Sequence, residues 1–148
     1  AVKNVIAIAC GIAMGKGMGE NARAALITRG LAEIQRLCVA KGGKQETLMG
    51  LSGMGDLLLT CGSTKSRNMS LGIKIGQCGL IDEALRLKKR GVTEGVYTAE
   101  SVSDLANKLG VTMPICTAVH KILYEEADVN DTIHQLLTRP FTQEGYFS

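Results

Sequence analysis

Asn21 to Ala40 reads NARAALITRGLAEIQRLCVA, and the spacing of its apolar side chains decides the class of fold. Ala24, Ile27, Leu31, Ile34 and Leu37 return every three or four residues, the period of one face of an α-helix. Gly42 and Gly43 then stop the pattern, as glycines do just past a helix C-terminus. The spacing predicts the longest helix of the chain, apolar on one side and therefore packed against others.

Moving toward the N-terminus, Gly15, Gly17 and Gly19 recur at alternate positions and predict a tight loop, with Asn21 offering a side-chain cap to the helix behind it. This GKGMG is no dinucleotide fingerprint, which needs GxGxxG between a strand and a helix with an acid further on. Before it, Val5, Ile6, Ile8, Ala9 and Ile12 form a nearly all-apolar run that fits a buried helix or a buried strand. Its alanines favour helix.

Moving toward the C-terminus, helices are expected from about Arg67 to Gln77, ending at Gly79, and from Asp82 to Lys89, with basic residues at the end the dipole favours. Val92 to Gly95 reads as a loop. Val102, Leu105, Ala106 and Leu109 mark a further helix closed by Gly110. Pro114 starts one carrying Ile115, Val119, Ile122 and Leu123, and Asp131 caps a last one carrying Ile133, Leu136 and Leu137, which Pro140 ends. No alternating strand pattern and no fixed repeat interrupts the series. The expectation is an all-α protein, a helical bundle with a short tail from Phe141.

The 148 residues suffice for one domain, and with 45% apolar residues but two Phe, three Tyr and no Trp, the core must be aliphatic. A net charge of +3 is mild. Its densest basic run, Lys88, Lys89 and Arg90, suits a solvated helix end, so no nucleic-acid partner is expected. Cys10, Cys38, Cys61, Cys78 and Cys116 are odd in number with no CxxC spacing, and His120 and His134 have no ligand cluster around them. Reduced thiols in the cytoplasm and no metal follow as expectations. The apolar run from Val5 to Ile12 is too short to span a bilayer and lacks a basic lead and a cleavage site, so neither membrane insertion nor export is expected.

Chemistry concentrates in Gly50 to Asn68, GLSGMGDLLLTCGSTKSRN. Gly53 and Gly55 permit a close backbone approach, and Asp56 opens the apolar run Leu57 to Leu59, where it serves either as a helix cap or as a functional carboxylate. Ser66 precedes Arg67 and Asn68 where a new helix should begin. An arginine beside such a start can hold a phosphate as a planar fork, and an ordinary serine cap with solvated neighbours explains the same letters.

Several separated motifs, taken together, carry a family resemblance. Val2-Lys3-Asn4-Val5-Ile6-Ala7, Gly15-Lys16-Gly17-Met18-Gly19-Glu20-Asn21, Ala24-Ala25-Leu26-Ile27-Thr28-Arg29-Gly30, Gly50-Leu51-Ser52-Gly53-Met54-Gly55-Asp56-Leu57, Thr60, Ser66-Arg67-Asn68 and Val92-Thr93-Glu94-Gly95 follow in the order found in bacterial NAD(P)-dependent glycerol-3-phosphate dehydrogenases. The chain resembles the C-terminal, helical substrate domain of that family over nearly its whole length. That implies a multi-helix bundle similar to the 6-phosphogluconate dehydrogenase C-terminal-like domain. It also implies a Rossmann half before Ala1, which this chain does not carry. Met14, Lys16 and Thr93 depart from the common pattern without touching the proposed chemistry.

The resemblance implies reduction of dihydroxyacetone phosphate to sn-glycerol 3-phosphate with NAD or NADP as cofactor, in service of phospholipid synthesis. Lys3 matches the catalytic lysine, whose ammonium can stabilise a developing alkoxide and deliver a proton. Asp56 matches a carboxylate that holds the lysine and binds a substrate hydroxyl, and Thr60, one helical turn on, adds a hydrogen bond from the same face. Ser66, Arg67 and Asn68 match the substrate-contacting triplet. Arg67, with Val92 and Glu94, is expected to reach the cofactor, while Asn4 supports the site's geometry. The partner is the missing Rossmann half, and a face left open by its absence favours self-association into a homo-oligomer. Two other readings fit the composition: a non-catalytic helical interaction module, and the helical domain of a β-hydroxyacid dehydrogenase. The Ser66-Arg67-Asn68 phosphate site argues against the latter.

Overall fold

The computed structural model describes residues 2–40, 42, 67–78, 94–125 and 127–138, with the backbone alone at 78 and 94–96. Every regular element among them is a helix: α1 (Val2–Gly15), α2 (Gly19–Ala40), α3 (Arg67–Cys78), α4 (Glu94–Leu109), α5 (Pro114–Tyr124) and α6 (Val129–Thr138). The expected helix from Asp82 to Lys89 and the tail from Phe141 lie outside the described residues.

Helix α1 is the axis of the bundle. Its residues from Asn4 to Ala13 are all buried, as expected of a helix apolar on every side. Helices α2, α3, α4 and α5 all pack on it, α3 most extensively. Ile6, Ile8 and Ile12 are fully enclosed, and each contributes roughly 1.5–3 kcal/mol by leaving water.

The α1–α3 contact is close because glycines face one another across it. A Cβ at Gly11 would fall 2.8 Å from Gly72 Cα, and one at Gly72 would run into the Ile8 carbonyl. One turn on, Gly76 lies against Gly15 and the Ile12 carbonyl, and Gly15 lies against Ile73. Matched contacts of 8 with 72 and 12 with 76 mean that both helices run in the same direction.

Two turns end on glycines in the left-handed region. At the end of α1, Gly17 has φ +70, its N–H bonds Met14, and the Met18 N–H bonds Ala13. At the end of α4, Gly110 has φ +68, and the Val111 N–H bonds Ala106. Both are Schellman closures, which an L side chain at the glycine would strain.

Three boundaries differ from the sequence expectations. Helix α2 begins at Gly19, so Asn21 lies inside its first turn and does not cap it. Helix α4 begins at Glu94, so Glu94 and Gly95 are helical where a loop was expected. Helix α6 begins at Val129, and its cap is Asp128, whose Oδ2 accepts the Asp131 N–H at 2.9 Å. Within α2, Ala24 is exposed, while Leu26 and Gly30 face the core beside Ile27, Leu31 and Leu37.

Candidate functional site

The parallel contact between α1 and α3 brings their first turns to one end of the bundle. Extending the 8-with-72 register back by one helical turn sets Asn4 level with Asn68, and Lys3 level with Arg67. Both asparagines are buried, at 9% and 8% exposure, and Lys3 is half-buried while Arg67 is exposed. Two buried amides and two less buried cations thus share one end of a core that is otherwise aliphatic. The α3 start adds the positive end of a helix dipole, with no acidic residue in its first turn to offset it. Chemically, such an end attracts an anion.

Of the residues expected in the site, Lys3, Arg67 and Asn68 are therefore on elements that the fold brings together. Asp56, Thr60, Ser66 and Val92 lie outside the described residues. Glu94 opens α4. Among the described residues no group of three metal-ligating side chains occurs, and Cys10, Cys38 and Cys116 are free thiols.

A second polar constellation, which sequence reasoning missed, sits on α2. Glu33 is completely buried. Its Oε2 accepts the Ile115 N–H at 2.7 Å and its Oε1 the Cys116 N–H at 3.2 Å. Those amides begin α5, where Pro114 has no N–H and Met113 provides no side-chain cap, so Glu33 caps that helix from across the core. Burial pushes the Glu33 carboxyl up to about 7, although the two backbone N–H groups and the Arg36 charge pull it down. Burial and the neighbouring Glu33 push the Cys116 thiol up in turn.

One turn earlier, buried Arg29 donates from Nη1 to the Leu136 carbonyl at 2.7 Å. The helical partner of that carbonyl would be residue 140, a proline without an N–H. Helix α2 thus places a carboxylate at the start of α5 and a guanidinium at the end of α6, each sign matched to its dipole end. Lys16 Nζ also donates to Asn130 Oδ1, tying the α1–α2 turn to the first turn of α6. The sequence signal was the pair Arg29 and Glu33, four apart on the face that carries Leu26, Gly30 and Leu37. Charges on an apolar face need buried partners.

An all-α domain with a lysine in the first turn of its central helix, level with an arginine at the start of a second, is what the sequence resemblance to a dehydrogenase substrate domain led one to expect. Comparison with known proteins identifies which. Residues 1–134 match the family described as "NAD-dependent glycerol-3-phosphate dehydrogenase C-terminus", and the chain belongs to that family. A glycerol-3-phosphate dehydrogenase of Maricaulis maris is 55% identical over 144 residues, which are 97% of this chain and 43% of the relative. One from Rhodospirillum rubrum is 54% identical across 98% of this chain and 41% of its own. The crystal structure of the Coxiella burnetii glycerol-3-phosphate dehydrogenase superposes with a TM-score of 0.86 at 47% identity, over 93% of this chain and 42% of that one. The Saccharomyces cerevisiae enzyme follows at 0.82 and 27%, over 94% and 40%. This chain spans less than half the length of the relatives it matches.

Proposed function

We propose that the chain is the substrate half of an oxidoreductase that interconverts dihydroxyacetone phosphate and sn-glycerol 3-phosphate with NAD or NADP, feeding glycerophospholipid synthesis in the cytoplasm. The observation that carries this reading is the shared end of α1 and α3, where the helix register sets Lys3 level with Arg67 next to two buried asparagines. Family membership supplies the substrate. An N-terminal Rossmann domain is the partner that completes the site.

Division of labour follows from residue type. Arg67 is exposed at the α3 start, and its fork binds the phosphate of the substrate in charge-assisted pairs. That leaves the ketone to Lys3, whose ammonium hydrogen-bonds the carbonyl oxygen and gives it a proton as the alcohol forms. Asn68, buried beside Arg67, fixes the substrate from below. The resemblance adds Asp56 as the carboxylate that would hold Lys3 and bind a hydroxyl, and Thr60 and Ser66 as further substrate-binding candidates.

The nicotinamide, when bound, supplies the hydride that reduces the carbonyl carbon. An exposed guanidinium at a helix start suits a phosphate-bearing cofactor as well as a phosphate-bearing substrate. Arg67, Val92 and Glu94 are the residues of this chain that would hold it. In a full-length enzyme carrying this domain, Lys3→Ala is expected to lower kcat by about 10² or more, the scale of general acid catalysis, with KM for dihydroxyacetone phosphate mostly kept. Near-normal turnover by that variant removes Lys3 from the mechanism.

A further inference from the structure

We infer that Gly72, with its facing Gly11, is a positioning residue for the reaction: it sets how closely and in what register the lysine-bearing helix lies against the arginine-bearing one. The inference rests on the site reading above and adds what holds the two halves of that site at a fixed spacing.

A substrate gripped by its phosphate at one helix and protonated at its carbonyl by another must span a distance that neither side chain controls alone. Long cationic side chains adjust by rotamer, but the separation of their Cα atoms is set by the backbones. Here the backbones are in direct contact. A Cβ on Gly72 would overlap the Ile8 carbonyl and lie 2.8 Å from Gly11 Cα and 2.9 Å from the Ile12 nitrogen. All three obstacles are main chain of a helix buried from Asn4 to Ala13, so relief requires the whole helices to separate or slide.

Gly30 makes a useful contrast. The three atoms nearest a Cβ there all belong to the Ile6 side chain, the first at 2.7 Å, and a rotamer change can move them aside. Glycine at 72 is therefore required by main-chain proximity, and that proximity fixes the level of residue 3 against residue 67. A misplacement near 1 Å between reacting groups can cost about 10²-fold in rate, so a wedge two turns from Lys3 reaches the chemistry without touching substrate.

The test is a double-mutant cycle in a full-length enzyme carrying this domain, with kcat and KM measured on dihydroxyacetone phosphate and folding followed by circular dichroism. Gly72→Ala should lower kcat/KM roughly tenfold or more while the enzyme remains helical. In an Arg67→Ala background the same substitution should cost no more than about twofold, because the α3 end no longer grips the phosphate whose position mattered. A purely structural role for Gly72 gives the same loss in both backgrounds, and that result overturns the inference, as does a folded Gly72→Ala with normal kcat/KM. Should Gly72→Ala fail to fold, Gly15→Ala at the half-buried outer end of the same contact carries the identical cycle, with a smaller loss and the same coupling expected. If Arg67→Ala and Lys3→Ala are both silent, the site reading itself is at fault, which is distinguishable from additive losses with both residues active.

Discussion

At Glu33 the sequence and the structure disagree most about what a side chain is for. A glutamate inside an amphipathic helix reads as surface, yet this one is enclosed and caps another helix through two backbone amides. Because its carboxyl is raised from 4.5 to about 7, the folded protein keeps a proton that the unfolded chain releases. Its contribution to stability is therefore fully present below about pH 4.5 and is lost as pH rises through about 7. A shift of that size corresponds to something on the order of 3 kcal/mol. Glu33→Gln removes the titration and turns an amide nitrogen toward one N–H donor, a mismatch of about 1–3 kcal/mol. The stability gap between wild type and Glu33→Gln, read by thermal unfolding, should shrink from pH 5 to pH 8; a gap that stays constant means that Glu33 does not titrate there. Arg67, by contrast, was only half legible from its letter and its neighbours: a cation just after a serine at a helix start fits a phosphate fork and a solvated surface equally, and the family resemblance is what singled it out. Arg67→Ala should raise KM for dihydroxyacetone phosphate roughly ten- to a hundredfold, given about 1.5–3 kcal/mol for a charge-assisted pair. Lysine should restore only part, lacking the fork; equal losses on an unphosphorylated analogue would remove the phosphate role.

Helices were visible in the sequence wherever apolar residues kept a three-to-four spacing, and their ends were less so. The start of α6 shows why: Asp128 and Asp131 are both acceptable caps by residue type, and only the backbone path decides between them. With Asp128 accepting the Asp131 N–H, Asp128→Ala should destabilise the protein by about 1 kcal/mol. Asp131→Ala should cost less, since it removes a dipole-favoured charge and no cap. Comparing the two denaturation midpoints checks the order, and the reverse order would return the cap to Asp131. The α1 run was ambiguous between helix and strand for a different reason: a segment buried on all sides has no polar face from which to read a period. In α3, Met69, Leu71, Ile73 and Ile75 alternate as strand residues would, while Gly72 and Gly76 sit at helical spacing. The segment is helical, which brings Gly72 and Gly76 onto one face against the main chain of α1.

For the molecule as a whole, an aliphatic core around α1 argues that the 148 residues fold alone, and the lack of a GxGxxG strand-turn-helix unit argues that they do not hold a dinucleotide by themselves. The isolated chain is expected to give a helical circular dichroism spectrum, no saturable NADH binding and no turnover. Tight NADH binding would move the cofactor site into residues assigned here to substrate. No helix among the described residues is long and apolar enough to cross a membrane. The family match favours the dehydrogenase reading over the interaction module, which composition fitted equally well, and over the β-hydroxyacid enzyme, against which the Ser66-Arg67-Asn68 triplet already argued. Sequence alone determined the all-α class, since periodic apolar spacing and the glycine and proline stops are local properties of the chain. It also determined which side chains can do chemistry, because a lysine, an arginine and two asparagines carry their donors wherever they are placed. What only the tertiary structure decided is that residues 3 and 67 stand at the same end of the bundle. Two helices can pack in either direction on apolar contacts alone, and here the close approach of Gly72 to the Ile8 carbonyl and of Gly76 to the Ile12 carbonyl is in parallel register.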